Sequence, residues 1–405
     1  MKFKNFAAKV WQSIKNLFKP SRYQAAVPSL ISIGFGIVFG ILTMFVIWLL
    51  AVLGVFKTNN MPEFFYGVGV LLAGAFNEGM DSIADMLFAA APLILAGLSV
   101  GFAFKTGLFN IGAPGQIVIG GLTAITIGLK VSLPAPWHWM LALLCGVLAA
   151  GIWGLIIGAL KALLNVHEVV ASIMMNYISI YTAFLIIKGN GMVNTQTSQT
   201  LQLPASALLP HGEVALFAYY DMNIGIIIAI LAVIVMYIIL HKTTLGYQLK
   251  AVGFNKEASK YAGMNTKRNI MVSMAISGML AGLAGAILIM VSGKYFQLTK
   301  EAMMAEIMSV GFDGISVALL GLSQPIGALF AGLFLAYIRQ GGYYLNLANY
   351  MAEMADVITA VIIYFSALST ALYAIVKNRK IKLEALKKLR ISRRKEKTQD
   401  GGENV

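Results

Sequence analysis

The 405-residue sequence contains few charged residues and a single cysteine. Charged residues make up 12% of the chain, about half the share of an ordinary soluble domain, whereas 59% are apolar and the mean hydropathy is +0.78. These values exclude a soluble globular enzyme, a disordered regulator and a coiled coil. Cys145 cannot form an intrachain disulfide, so no oxidising compartment is indicated. The composition predicts an all-α polytopic protein of the cell membrane.

The sequence also lacks the motifs of common catalytic sites. It has no Gly-x-x-x-x-Gly-Lys-Ser/Thr phosphate loop, so we do not expect the chain to hydrolyse ATP itself. His167-Glu168 is followed by Ala171 where a helical zinc site needs a second histidine, and the four histidines lie on different segments. We therefore expect no catalytic residue, no metal and no cofactor bound by this chain.

Acidic residues are scarce within the apolar stretches. The candidates for an ion pathway are Asp85, Glu168, Glu306 and Asp313. They lie close to predicted span ends, where water can solvate them, so a solvated position is the alternative.

Apolar stretches of about 20 residues, the length that a helix needs to cross the hydrocarbon core, recur along the chain. Ten spans are predicted, at 28–56, 82–104, 108–129, 137–163, 168–187, 223–240, 269–291, 355–376 and twice within 305–340, with a break at 321–325. Residues 62–76 are shorter and rich in glycine, and we expect them to form an external interfacial or re-entrant piece. Glycine pairs such as Gly154/Gly158 and Gly278/Gly282 predict close helix packing.

Positive charge is concentrated outside the spans. Most of the 31 basic residues lie in residues 1–22, in the loop 241–268 and in the tail 377–405. The positive-inside rule puts these segments, and hence both termini, in the cytoplasm. Residues 1–22 read as a basic amphipathic helix, residues 27–376 as the transmembrane domain and residues 377–405 as a basic tail. Without a basic and aromatic surface elsewhere, we expect no nucleic acid partner.

Two polar elements interrupt this pattern and predict a transport path. The stretch Phe109–Gln116 opens an apolar span with a glycine- and proline-broken segment that contains Asn110 and Gln116. The span 168–187 carries Ser172, Asn176, Tyr177 and Tyr181, which we predict close to one face. The predicted substrate path is Phe109, Asn110, Gln116, Asn176 and Tyr177. The alternative is that these groups satisfy freed backbone groups or join helices.

The cytoplasmic loop is the second informative element. Within residues 246–264, a short amphipathic helix is predicted at 255–262, with Asn255 as its N-cap and Gly263 as its terminator.

At this point the sequence resembles a known family, the permease subunits of ATP-binding-cassette importers for simple sugars, nucleosides and branched-chain amino acids. Gly253, Asn255, Ala258 and Gly263 match the pattern of the coupling segment, while Ser259 departs from its second alanine. Phe109–Gln116 is similar to the family's F-N-I-G-x-E-G-Q, with Pro114 in place of the acidic residue. Leu164–Val170 and Gly311–Gly321 also look familial, the former especially like the nucleoside branch.

The resemblance implies a permease of about ten helices in two related five-helix halves, paired with a second, similar permease. It further implies a cytoplasmic ATPase that binds the ATP, and an extracytoplasmic solute-binding lipoprotein that delivers nucleosides. The coupling residues that it predicts are Gly246, Gly253, Asn255, Glu257, Ala258 and Gly263. A simple-sugar (pentose) permease and an ion-coupled secondary transporter are the alternatives.

Overall fold

The structure is a computed structural model that describes residues 20–55, 60–194, 196–211, 222–351, 353–366 and 368. For residues 20–28 it describes the backbone alone. The predicted basic tail and all but the end of the predicted N-terminal amphipathic helix lie outside the described residues.

The described residues are almost entirely helical. Their helices are α1 (Pro20–Val52), α2 (Phe64–Ala73), α3 (Met80–Lys105), α4 (Ala113–Lys130), α5 (Trp137–Leu164), α6 (Glu168–Gly189), α7 (Gly225–Lys242), α8 (Thr244–Phe254), α9 (Lys256–Tyr261), α10 (Thr266–Ile289), α11 (Lys300–Leu320), α12 (Pro325–Tyr343) and α13 (Met354–Ser366). Short 3₁₀ turns occur at Gly74–Phe76, Ala205–Ala207 and Tyr344–Ala348. The strands β1 (Val193–Asn194) and β2 (Gln199–Thr200) pair antiparallel.

Seven described helices are long and apolar enough to cross a membrane. They are α1 from Ser29 onward, α3, α5, α6, α7, α10 and α11. The other three predicted spans coincide with α4, α12 and α13. These helices do not combine the length and the apolar character that a span needs, so the count of ten is not confirmed. Phe64–Phe76 is a short apolar helix, and its external interfacial or re-entrant position stays a prediction. α11 begins five residues before the predicted 305, because the Thr299 hydroxyl accepts a hydrogen bond from the Ala302 amide and caps the helix (3.3 Å).

The chain divides into two compact units. The larger unit is Gly40–Thr359, and the smaller unit contains the described residues of Met1–Phe39 and Ala360–Val405. In the smaller unit, the rings of Phe35 and Phe365 stack with 4.8 Å between their centroids.

The core of the larger unit is built around α3 and α10. In the most apolar stretch of α3, 78% of the residues are buried, and the share is 67% for α10 but 33% for α5. A helix that is apolar on all sides is buried by its neighbours, and the small residues from Ala89 to Gly101 give α3 that character. The predicted broken segment follows α3 directly, at the edge of this core.

The backbones of α5 and α10 approach closely at two glycines. A Cβ atom built on Gly278 would lie 3.2 Å from the Gly154 Cα, and a Cβ on Gly154 would lie 3.1 Å from the Gly278 Cα. The same Cβ atoms would lie 2.4 Å from the Ala150 oxygen and 2.3 Å from the Met274 oxygen, so only glycine fits at both positions and the prediction of a packing site is confirmed. The contact holds α10 in place beside the broken segment.

Candidate translocation and coupling site

The broken segment between α3 and α4 is closed by the side chain of Asn110. This side chain is fully buried, and its Oδ1 accepts a hydrogen bond from the Gly112 amide (3.0 Å). Its Nδ2 donates to Gln116 Oε1 (2.8 Å) and to Ser277 Oγ (2.7 Å) on α10. The predicted break is therefore confirmed, and Asn110 connects it to α10.

A reciprocal pair of serines joins α3 to α10 at the same point. Ser99 Oγ donates to the Ser277 carbonyl, and Ser277 Oγ donates to the Ser99 carbonyl, each at 2.7 Å. Both side chains are fully buried. This pair was not predicted, because its only signal in the sequence is one serine in each of two apolar helices far apart in the chain.

Asn176 holds the other side of the break. Its Oδ1 accepts from the Gly115 amide (2.9 Å), and its Nδ2 donates to the Ile111 carbonyl (3.0 Å). Only 4% of Asn176 is exposed. These are the contacts expected from the alternative in which amides satisfy backbone groups freed by the break. Substrate contact by Asn110, Gln116 and Asn176 stays a prediction.

The four polar residues predicted on one face of α6 divide between two faces, so that prediction is wrong. Ser172 and Asn176 are buried, whereas Tyr177 is 41% exposed and Tyr181 is 52% exposed. Successive helical residues are rotated by about 100°, so Tyr177 turns away from the face of Asn176. The Lys300 ammonium lies 5.5 Å from the centroid of the Tyr177 ring.

Phe109, the fifth predicted path residue, is half-buried. Its ring stacks on Phe104 of α3 with 5.0 Å between the centroids. Of the five predicted path residues, Tyr177 is thus the one with an exposed side chain.

Three of the four acidic candidates have partners. Glu168 pairs with Lys161 (2.8 Å), Asp313 pairs with Arg339 (2.7 Å), and Asp85 accepts a hydrogen bond from Gln340 (3.3 Å). Asp313 lies well inside α11 rather than near its end, because the helix begins at Lys300. The fourth candidate, Glu306, is exposed and lies in the π-helical turn Met304–Met308 of α11.

The predicted cytoplasmic loop contains two helices, α8 and α9. The predicted cap of α9 is confirmed, because Asn255 Oδ1 accepts from the Ala258 amide (2.9 Å). Gly263 ends the helix with a φ of +79°, which favours glycine. Helix α8 was not predicted, although Thr243 caps it by accepting from the Gly246 amide (3.1 Å).

The outer side of α8 and α9 forms an open groove of about 550 Å³. Its lining residues are Tyr247, Lys250, Ala251, Phe254, Asn255, Ala258, Ser259, Ala262 and Met264. Phe254 is 96% exposed, and Tyr261 beside the groove is 93% exposed. The predicted coupling residue Glu257 is exposed as well. Large exposed aromatic side chains around a concave surface are typical of a protein interaction site.

The inner side of α8 is fixed to the transmembrane helices. A Cβ atom on Gly253 would lie 2.6 Å from both the Gly107 nitrogen and the Thr106 oxygen, so α8 touches the turn after α3 backbone to backbone. Val252 joins a buried cluster whose other members are Ala103, Leu108, Ile157, Ala171, Met175, Ile270 and Met274. The Thr106 hydroxyl in turn hydrogen-bonds the Ser273 hydroxyl of α10. The groove and the broken segment therefore belong to one packed assembly.

Comparison with known proteins assigns the chain to a family. The model of the branched-chain amino acid transport system permease component matches residues 82–367, which include the broken segment, α8 and α9. The chain belongs to this permease family. The resemblance inferred from the motifs is thereby confirmed. The chain is a multi-pass membrane protein of a transport permease family.

Two bacterial relatives and one archaeal relative resemble this family member over most of their length. The guanosine ABC transporter permease protein NupP of Bacillus subtilis (strain 168) is 40% identical over 309 residues, covering 76% of this chain and 86% of the relative. The nucleoside ABC transporter permease protein NupB of Lactococcus lactis subsp. cremoris (strain MG1363) is 36% identical over 292 residues (71% and 79%). The glucose ABC transporter permease protein TsgB13 of Haloferax volcanii is 32% identical over 293 residues (70% and 75%). No solved structure matches the chain.

Proposed function

We propose that this permease is the transmembrane subunit of an ATP-driven importer and that it forms part of the translocation path for nucleosides. The observation that carries the proposal is the exposed aromatic groove on α8 and α9, because the other side of α8 packs against the turn at Thr106 and Gly107 that precedes the broken segment. The substrate class rests on the two relatives named for guanosine and nucleosides, which are the more similar of the three.

In this proposal, a separate cytoplasmic ATPase occupies the groove and binds the ATP. Closure of the ATPase displaces α8 and α9, and the backbone contact at Gly253 passes the displacement to the turn at Thr106 and Gly107. Because Val252 shares its cluster with residues of α3, α5, α6 and α10, these helices move with α8. Closely packed interiors transmit strain, so no flexible linker absorbs the movement.

The substrate path is proposed to run past Phe109, Asn110, Gln116, Asn176 and Tyr177. Neutral amides offer both donors and acceptors, which suits the polar groups of a base and a ribose. In the state described here, the amides of Asn110 and Asn176 engage the protein itself, so a substrate would meet Tyr177 first. Opening of the path past the amides then requires that these hydrogen bonds to the protein break and that the substrate takes the place of the protein partners.

The remaining features of the proposed assembly are those that the family resemblance implies. The proposal includes about ten spanning helices in two related halves, both termini in the cytoplasm, and delivery of the substrate by an extracytoplasmic solute-binding lipoprotein. A second, different permease completes the path. Expression of this chain with its ATPase but without a second permease should give no uptake, and robust uptake by that reduced set would exclude the heterodimer.

The experiment that tests the function measures guanosine uptake into proteoliposomes containing the complete importer, with adenosine, uridine, ribose and glucose as competitors. We expect ATP-dependent uptake that nucleosides inhibit and that pentose and glucose do not. Uptake inhibited by ribose alone would point to the pentose alternative, and uptake without ATP driven by a proton or sodium gradient would point to a secondary transporter.

The groove is tested separately by the double variant Phe254→Ala/Tyr261→Ala. Both side chains are almost fully exposed, so their removal should leave folding intact and reduce co-purification of the ATPase at least about tenfold. Phe65→Ala is the matched control, since Phe65 on α2 is an 87% exposed aromatic residue outside the groove. Unchanged ATPase binding by the double variant would contradict the docking site.

A further inference from the structure

Charged and tyrosine side chains are exposed along parts of two spanning helices, where lipid would be an unfavourable neighbour. Tyr177 is the tenth of 22 residues in α6, and the Lys300 ammonium lies over its ring. Glu306 is exposed in α11, about 9 Å along the helix axis from Lys300. Charged groups at membrane depth face a protein interior or a water-filled cavity, and tyrosine is enriched at membrane surfaces rather than at mid-span.

The exposed faces of α6 and α11 adjoin each other around the first turn of α4. On one side, the Gly115 amide of α4 donates to Asn176 of α6. On the other side, Gly311 of α11 packs on Pro114, since a Cβ atom there would lie 2.8 Å from the proline Cγ. Lys300 reaches from the start of α11 to Tyr177 and connects the two faces directly.

The exposed face of α11 contains two carboxylates and an irregular turn. Glu301 and Ala305 are exposed one helical turn apart, and Phe312 is exposed further along the helix. The π-helical turn Met304–Met308 adds Glu306 to these exposed residues. Single π-helical turns inside α-helices are frequent at functional sites.

We propose that the face formed by Tyr177, Tyr181, Lys300, Glu306 and Phe312 is the water-lined wall of the translocation path and contacts the nucleoside. The inference rests on the proposed function and deepens it, because it adds the exposed faces of α6 and α11 to the path and makes them the part that a substrate meets before the buried amides. The Tyr177 ring receives the base by stacking, and the Lys300 ammonium covers that ring until the base displaces it. Glu306 offers an acceptor to ribose hydroxyls.

Thiol labelling tests whether water reaches this wall. Cys145 is the only cysteine of the sequence, so a Cys145→Ser background supports single-cysteine variants of the complete importer. Tyr177→Cys and Glu306→Cys should react with a charged, membrane-impermeant thiol reagent at least about tenfold faster than Ile152→Cys. Ile152 is the matched control, since it is 60% exposed near the middle of the spanning helix α5. Labelling of Tyr177→Cys and Glu306→Cys at the control rate would overturn the proposal, whether lipid or a partner subunit covers the face.

Guanosine transport tests the contact with the base. Tyr177→Phe retains an aromatic ring and should keep guanosine uptake within about twofold of the unaltered protein, whereas Tyr177→Leu should lower it about tenfold. Lys300→Gln alone should change the KM for guanosine relative to the unaltered protein. The same substitution added to Tyr177→Leu should leave the KM of the Tyr177→Leu variant unchanged. Equal uptake by the two Tyr177 variants would overturn the stacking contact.

The two proposals fail in different ways. Slow labelling of the Tyr177→Cys and Glu306→Cys variants, together with normal guanosine uptake by the unaltered importer, overturns the water-lined wall but supports the proposed importer function. Rapid labelling together with no uptake of any nucleoside by the unaltered importer overturns the proposed substrate and supports a water-lined wall.

Discussion

Replacement of Gly253 by alanine should separate ATP hydrolysis from transport. The added methyl carbon would lie 2.6 Å from the Gly107 nitrogen and the Thr106 oxygen, whereas ordinary contacts of this kind begin at 3.4 Å. Both neighbours are backbone atoms and cannot rotate away. The nearest atom, the Thr106 carbonyl carbon, would lie only 2.4 Å away, so helix α8 must withdraw from the turn by about 1 Å.

The same substitution should leave the protein folded. Alanine in place of a helical glycine stabilises a helix by about 1 kcal/mol. Overpacking of a close contact costs about 1–3 kcal/mol. The net cost of about 0–2 kcal/mol is small, so insertion into the membrane should persist. Coupling free energies of about 1–3 kcal/mol correspond to about 5- to 150-fold changes, and we therefore expect transport per ATP hydrolysed to fall about tenfold.

The assay measures guanosine uptake and ATP hydrolysis in parallel in proteoliposomes containing the complete importer. Gly189→Ala is the matched control, because Gly189 also lies near the end of a helix and its added methyl meets nothing within 4 Å. Hydrolysis should continue in both variants, and uptake should fall only in Gly253→Ala. A series from alanine to valine to tryptophan at position 253 should weaken uptake progressively.

Two results would refute this reasoning. The first is normal uptake in Gly253→Ala and in the more severe Gly253→Trp/Glu257→Arg double variant. The second is an equal loss of uptake in Gly189→Ala, which would show that flexibility rather than contact explains the effect.

Three further substitutions test single contacts. Asn255→Ala removes the cap of α9, costs about 1 kcal/mol and should lower uptake, while Asn255→Ser should retain it; equal uptake by the two would argue against a role of the cap. Asn176→Leu leaves the Gly115 amide and the Ile111 carbonyl without their partner, so Tm in detergent should fall by an amount equivalent to about 2–5 kcal/mol, and an unchanged Tm would contradict the bracing role. Asp313→Asn or Arg339→Met alone should destabilise the protein by about 1–3 kcal/mol, less than for a fully buried pair because the two side chains are 16% and 31% exposed. The double variant should recover stability and uptake, and loss of uptake in this stable double variant would point to an ion pathway.

Much of the fold was predictable because membrane spans and helix breaks have strong local signals. The limits of α3, α5, α6 and α7 lie within about two residues of the predicted ones, and the break at 321–325 separates α11 from α12. Asn255 and Gly263 were predictable as cap and terminator, since each acts through its own side chain or backbone angle. Helix α8 was missed because two glycines, Gly246 and Gly253, lie within its eleven residues, and glycine weakens the local signal for a helix. Burial of Leu249 and Val252 stabilises it in the folded protein.

The candidate site was predictable only where the signal is local. The broken segment at Asn110 was identified from its glycine, proline and amide residues. Its connection to Ser277 spans 167 positions of the sequence, and no pattern in a single sequence pairs two such residues. The division of α6 into a buried side and an exposed side depends on which helices surround it, so Tyr177 and Asn176 could not be separated in advance.

The arrangement of the contacts determines how a push on α8 can reach the path. Gly253 presses on the turn at Gly107, and only five residues separate this turn from the start of α4 at Ala113. Asn110, in the middle of this segment, is hydrogen-bonded to α10, and Asn176 ties the first turn of α4 to α6. A segment held at both ends and at its middle cannot flex locally. In the proposed coupling, movement of α8 would therefore shift the end of α3, the start of α4 and the adjoining parts of α6 and α10 together.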